Sequence, residues 1–319
     1  MSVNQNLLEK RRGRARLRRN KSARYPISSS PLWRLRSLHV LATLLQTDFD
    51  LIEPLCLNPT YRRGFEASPK PGKEARAIQV PTEETMRLHY RLLHLLDSIE
   101  RPEFLHSATK LRSHVTNARA HSAFEGAMVS VDIRKFFEST TYGHIKRFFH
   151  LDLGCSHDVA KYLASLCAAD GHLPTGSCIS SLLSYFVHQN LFNEIARLCH
   201  SRQVTMSLYV DDLTFSGLHA TKALQYEVGK LIRRAGLQTH PKKNIRVRPG
   251  KAAIVTGVVV HDGKLKLRNL HHQKIIQIQN SIADGAFPRD ELAGRMAAAR
   301  AIDPVAAGKL HARLLKVRS

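Results

Sequence analysis

The chain reads as an α+β protein organised around one acidic hairpin, and three observations predict it. In Met206 to Ser216, apolar Met206, Leu208 and Val210 alternate with Ser207 and Tyr209, and Leu213 and Phe215 then alternate with Thr214 and Ser216. Period two on both sides of Asp211-Asp212 predicts two strands with paired acids at the turn. Ala127 to Ile133 is a further strand, rich in β-branched residues, and it ends on Asp132. Between and after these segments, apolar residues recur at helical spacing. Leu35, Leu38, Leu41 and Leu45 form one stripe, and Met86, Leu92, Leu93, Leu96 and Ile99 form another.

Composition narrows the class of partner. The 319 residues are 43% hydrophobic and 24% charged, as in a globular protein, but 49 Lys+Arg face 26 Asp+Glu, a formal charge of +23. Such a field favours a polyanion. No apolar run approaches the 18 residues of a spanning helix, and the N-terminal charges precede no apolar signal segment, so nucleic acid is favoured over membrane. Cys56, Cys155, Cys167, Cys178 and Cys199 are odd in number and show no C-x-x-C spacing. That argues for reduced thiols in the cytoplasm, without a zinc site or a disulfide framework.

In chain order, Lys10 to Arg24 holds nine Lys/Arg and no acid, either a solvated tail or a phosphate-binding arm. Ser30-Pro31 has the form of a helix cap and first position for the Leu35–Leu45 stripe. Tyr61 to Glu66 and Arg76 to Val80 predict a hairpin turned at Pro69 to Gly72, carrying Lys70, Lys73 and Arg76. Pro81-Thr82 breaks the strand and opens a helix, with Glu83 and Glu84 suited to its N-terminal dipole. Asn117 and His121 fall on a helix, where such residues are usually polar surface or a satisfied core pair. Leu173 to Ser177 is a Pro/Gly loop opening a helix through Leu182, Tyr185, Phe186 and Leu191, with Gly176 permitting close backbone approach. A helix over about 224–235 follows the acidic hairpin. Strands at Ala253 to Val255 and Val258 to Val260 are joined by Thr256-Gly257, and His261-Asp262-Gly263 turns the chain into Lys264 to Leu267. Helices over about 270–284 and 289–301, and one begun by Asp303-Pro304, complete the chain.

Adjacent carboxylates at a hairpin tip repel each other unless a cation sits between them. Asp-rich turns are also common without function. Asp132 supplies a third carboxylate at a second strand end, a position where an Asp commonly serves only as a cap. Strand-Asp, then strand-Asp-Asp-strand some eighty residues on, is also the arrangement that two-metal phosphoryl chemistry requires.

At this point the residues resemble a family. Arg76-Ala77-Ile78 with Pro81, Val131-Asp132 with Phe136-Phe137, Leu173-Pro174-Thr175-Gly176, Tyr209-Val210-Asp211-Asp212 and Lys243 fall in the order of bacterial reverse-transcriptase motifs. Asn117-Ala118-x-x-His121 and Val255-Thr256-Gly257 resemble two signatures of the retron branch. The resemblance covers about Leu35 to Lys316. Thr175 departs from the usual Gln, and Val210 from the commoner Ala.

The resemblance implies a right-hand polymerase of fingers, ferredoxin-like palm and short helical thumb. The expected divisions are a basic arm over 1–30, fingers and N-terminal helices over 31–125, palm over 126–262 and thumb over 263–319. It implies Asp132, Asp211, Asp212 and Lys243 as catalytic residues, with Asp132, Ile133, Asp211 and Asp212 holding two Mg²⁺ and Lys243 serving the pyrophosphate. Lys73, Arg76, Lys135, Phe136, Phe137, Thr175 and Gly176 are implied to meet the incoming nucleotide, the Phe137 ring excluding a ribose 2′-OH. Asn117, His121, Val255, Thr256 and Gly257 are implied to meet RNA. The expected partners are dNTPs, a structured non-coding RNA that is template and 2′-OH primer, its DNA product, a separate effector protein in anti-phage defence, and a host RNase H. A group II intron-like or other bacterial reverse transcriptase is the alternative enzyme, and a non-catalytic basic RNA-binding protein the alternative of another class.

Overall fold

The computed structural model describes residues 24–66, 75–124, 126–240, 243–283 and 289–317. Most of the basic arm, Lys70 and Lys73 lie outside these residues. The chain divides into two compact units, one made of residues up to Arg101 together with Thr140–Leu183, the other of Pro102–Ser139 with Ser184 onward. The chain passes from one to the other three times, so these units do not follow the contiguous divisions expected from the sequence.

In the first unit the expected cap at Ser30-Pro31 is not where the helix starts. Arg34 adopts a left-handed φ of +54° and its N–H bonds Leu153 O at 2.8 Å, which turns the chain out of helical geometry. The helix is Leu38–Leu45, capped by Ser37, whose hydroxyl accepts the Val40 N–H. Leu35 is buried but lies before it. Strands β1 (Tyr61–Glu66) and β2 (Arg76–Pro81) pair antiparallel from Tyr61 opposite Pro81 to Glu66 opposite Arg76. Thr82 then precedes helix Glu83–Asp97, which buries Thr85, Leu88, His89, Leu92, Leu95 and Leu96 at helical spacing.

The second unit is built on an antiparallel sheet in the order β4 (Thr205–Tyr209), β5 (Asp212–Gly217), β3 (Ala127–Asp132), β6 (Arg246–Val247). Helix Gln189–Ser201 precedes the β4–β5 hairpin, and helix Lys222–Arg234 lies between that hairpin and β6. The first and third strands thus sit inside and the second and fourth outside, the ferredoxin-like arrangement expected of a palm. A second sheet, β7 (Ala253–Val255), β8 (Val258–His261) and β9 (Lys264–Lys266), is followed by helices Asn269–Ala283, Arg289–Ile302 and Pro304–Val317. Asp303 caps the last helix through a 2.9 Å bond from the Ala306 N–H. Met128 on β3, Val255 and Val258 on the hairpin, and Ile275, Met296 and Ala299 on these helices belong to one buried cluster. The expected palm and thumb therefore share a core. Among the described residues no helix is long and apolar enough to cross a membrane. All five cysteines are unpaired, and burial pushes the Cys56 and Cys199 thiols up to about 12.

Candidate active site

The sheet brings the three acids together. β3 and β5 pair so that Asp132 stands directly opposite Asp212. In β4–β5, Tyr209 pairs with Asp212, leaving only Val210 and Asp211 for the turn. Beyond β3, Ile133 N–H bonds Asp211 O at 3.0 Å, His240 N–H bonds Asp132 O at 2.8 Å, and Arg134 N–H bonds Gln238 O at 2.7 Å. The backbone carrying Asp132 is thus held on both sides. Val210 has φ +60°, a left-handed conformation disfavoured for a β-branched residue, at a cost of about 1–3 kcal/mol.

Like charges directly opposite on a sheet destabilise it, and the electrostatics record this. Asp132 is 4% exposed; its Oδ2 accepts a 2.6 Å bond from Lys243 Nζ, while its buried Oδ1 has no hydrogen-bond partner among the described residues. Asp212 is raised to about 7, first by burial, then by the charges of Asp211 and Asp132 and a hydrogen bond with Asp132; Lys243 opposes the rise. Lys243, expected to serve a leaving group, here neutralises the most buried acid. Among the described residues no three His, Cys, Asp or Glu side chains already close around a common point. The donor set nevertheless suits a hard cation, with oxygen ligands only, one of them buried and unbonded, and a charge excess that a cation would relieve.

The other expected nucleotide contacts separate into different environments. Phe137, partly exposed, stacks on Phe136 at 6.2 Å. Phe136 is 4% exposed and packs against His188 and Phe192, so its ring is core and is not presented to a nucleotide. Lys135 is exposed, with φ +49° and its Nζ on Glu138 Oε2 at 2.7 Å. In the first unit, Arg76 is exposed at the start of β2. The Thr175 hydroxyl donates to Ala77 O at 3.1 Å, and Gly176 N–H donates to Gln79 O at 3.1 Å. A Cβ on Gly176 would lie 2.8 Å from both Gln79 O and Val80 Cγ2. The close approach that Gly176 permits is therefore to β2, which docks the loop on the hairpin. His89 fixes the far side of this loop: its Nε2–H donates to Leu166 O at 2.8 Å, and Nδ1 accepts from Ser177 Oγ at 2.7 Å.

The expected RNA contacts need correction. Asn117 and His121 are fully buried and Val255 is 1% exposed, so their side chains offer RNA no surface. His121 bridges Ser207 on β4 and Ser216 on β5, each at 2.7 Å, behind the acidic hairpin. Burial and nearby His106 hold its pKa down at about 3, which keeps it neutral. Asn117 donates to Thr256 Oγ1 at 3.4 Å, and that hydroxyl donates to His114 O at 2.9 Å. Thr256 and Gly257 have φ +43° and +86°, the two positive values of a two-residue hairpin turn. Both Asn117 and His121 belong to the polar core rather than to the surface: His121 has both ring nitrogens bonded, while Asn117 is bonded through its amide nitrogen and its buried Oδ1 has no hydrogen-bond partner among the described residues. Of this set, only Thr256 and Gly257 retain exposure.

A buried Asp opposite an Asp-Asp turn on a ferredoxin-like sheet defines a palm of the right-hand polymerase class. The comparisons add a similarity to reverse transcriptases. The chain is similar to the retron Ec86 reverse transcriptase of Escherichia coli, 24% identical over 246 residues that cover 76% of each chain. It is also similar to the retron Mx65 reverse transcriptase of Myxococcus xanthus, 26% identical over 77% of this chain and 63% of that protein. With the retron Se72 enzyme of Salmonella heidelberg it shares 24% identity, over 59% of this chain and 49% of that one. No family model matches. Among solved structures, a foamy viral protease-reverse transcriptase in complex with double-stranded DNA aligns with a TM-score of 0.45 and 16% identity, over 88% of this chain and 45% of its own. These similarities support reading the chain as a retron-type reverse transcriptase, an RNA-directed DNA polymerase.

Proposed function

We propose that this chain copies part of a cognate structured non-coding RNA into DNA, starting from a 2′-OH of that RNA, so that the product stays branched to its template. The observation that carries the chemistry is Asp132 set opposite Asp212 beside the Asp211 turn, with one buried oxygen unbonded. Asp132, Asp211 and Asp212 would hold two Mg²⁺, with the Ile133 backbone beside them. When bound, such ions stabilise the attacking and leaving oxygens of an in-line displacement. Phe137, five residues after Asp132, blocks a ribose 2′-OH by steric exclusion. Arg76, with Lys73, binds triphosphate oxygens. Lys243, whose Nζ bonds Asp132 Oδ2 at 2.6 Å, is the residue that would meet the pyrophosphate. The +23 charge supports a nucleic-acid partner without choosing one. Gly257 and the surrounding turn are the remaining surface through which the retron signatures could meet RNA. A separate effector protein and a host RNase H act with the product, in anti-phage defence.

The test incubates the purified protein with RNA transcribed from the DNA flanking its gene, dNTPs and Mg²⁺. The expected product is DNA that remains covalently joined to RNA after denaturation and is absent with Asp132→Asn. Extension only of annealed primers favours the group II intron-like reading. RNA binding without incorporation on any primed RNA favours the non-catalytic one.

A further inference from the structure

We propose that Ser107, outside every motif discussed above, is a positioning residue that holds the catalytic turn; the inference rests on the polymerase reading. Phe104 to His106 runs parallel to β4. Leu208 N–H bonds Phe104 O at 2.7 Å, and His106 N–H bonds Leu208 O at 2.9 Å, around a bridge between Leu105 and Leu208. A continued parallel ladder would next send the Val210 N–H to His106 O. Instead it goes to Ser107 Oγ at 3.0 Å. The segment leaves β4 at this point, since Ala108 has φ +44°. A side-chain oxygen therefore completes the ladder at the one residue where the hairpin is strained.

That bond matters because of the groups it joins. Val210 is the strained residue of a two-residue turn, and Asp211 is its immediate neighbour. Strained conformations persist only where their surroundings over-determine them. The Val210 N–H points to an acceptor that is 3% exposed and itself fixed. Thr109 Oγ1 donates to Ser107 O at 2.9 Å, and the Arg112 guanidinium grips the carbonyls of Pro102, Glu103 and Leu105 at 2.6, 3.1 and 2.7 Å. Without the Ser107 oxygen, Val210 can relax towards negative φ and carry the Asp211 carboxylate with it. A misplacement of about 1 Å at a reacting centre costs on the order of a hundredfold in rate.

The experiment measures dTTP incorporation on poly(rA) primed with oligo(dT) for the full chain and its variants, with kcat, KM, template affinity and the Mg²⁺ concentration at half-maximal rate. Ser107→Ala is expected to lower kcat by about ten- to a hundredfold and raise the Mg²⁺ requirement, with KM for dTTP and template affinity within about twofold. Ser107→Thr and Ser107→Val form a matched pair of similar shape, of which only threonine keeps the acceptor. Threonine is expected to stay within a few-fold of the parent and valine to lose activity as alanine does, even if alanine folds poorly. In a Val210→Gly background, where positive φ carries no side-chain penalty, the loss from Ser107→Ala should shrink to a few-fold. Equal activity of the threonine and valine variants, or loss of template affinity in parallel with kcat, overturns the inference and leaves the polymerase reading intact. An inactive parent overturns both.

Discussion

Replacing Asp212 with asparagine is expected to abolish DNA synthesis and yet stabilise the metal-free protein at pH 8. The Asp212 carboxyl is raised from 3.8 to about 7 by burial and by its acidic neighbours. Between those values the folded protein keeps a proton that the unfolded chain has lost. Stability contributed through this group is therefore full below pH 3.8 and is lost as pH rises towards about 7. Three units at about 1.4 kcal/mol each give roughly 4 kcal/mol as an upper figure, and solvent screening of this partly open, coupled site reduces it to about 2 kcal/mol. In domains of 150–250 residues 1 kcal/mol moves Tm by about 2–4 °C, so a rise of about 5 °C is expected at pH 8. Buried His89 and His121, held down at about 4 and 3, act in the opposite direction and lose stability as pH falls below 6.5. They are present in both proteins, so the difference between variant and parent isolates Asp212. The assay is thermal unfolding of both in EDTA at pH 8 and pH 5, then with Mg²⁺. The gap should shrink at pH 5 to roughly two fifths of its pH 8 size, and Mg²⁺ should raise the parent at pH 8 more than the variant. A variant that melts at or below the parent at pH 8, or a gap that ignores pH, refutes the reasoning.

Three further outcomes are expected. Phe137→Ala should raise rGTP use relative to dGTP at least tenfold in single-nucleotide insertion; unchanged discrimination would move the gate to another residue. Gly176→Ala should cost about 1–3 kcal/mol in chemical denaturation, because the methyl would press on the Gln79 carbonyl, which cannot yield as a flexible side chain would. His121→Ala should cost at least about 2 kcal/mol, since the Ser207 and Ser216 hydroxyls would lose their shared partner in a buried site, and RNA affinity of the folded fraction should be unchanged.

The features legible in the sequence were those set by neighbours along the chain. Alternation around Asp211-Asp212 located β4 and β5, a β-branched run located β3, and Asp303-Pro304 located the start of the last helix. The misplaced feature, Ser30-Pro31 as a cap, fails for a long-range reason: Leu153 O captures the Arg34 N–H and holds the chain out of helix. The burial of Asn117 and His121 was equally hidden, because their partners lie 139, 95 and 86 residues away. Ser107 gave no signal at all. Its hydroxyl acquires meaning only once the segment before it lies along β4, 103 residues later in the chain.

The two retron signatures can then be understood as one internal brace within the second unit. Helix His114–Arg119 stands between the acidic hairpin and the β7–β8 hairpin. At one end His121 ties β4 to β5 behind the acids. At the other, Asn117 and the His114 carbonyl hold Thr256, a β-branched residue at φ +43°. Apolar residues of the same size could fill these spaces, but they could not direct a hydrogen bond, and a strained turn needs a directed partner to persist. Polar side chains are used inside the protein at the places where backbone geometry would otherwise relax. Val115 and Ala118 on this helix, and Val255 beside the turn, share the core that includes the C-terminal helices. The position of the three carboxylates is thereby tied to the packing of those helices, through residues that never reach the surface.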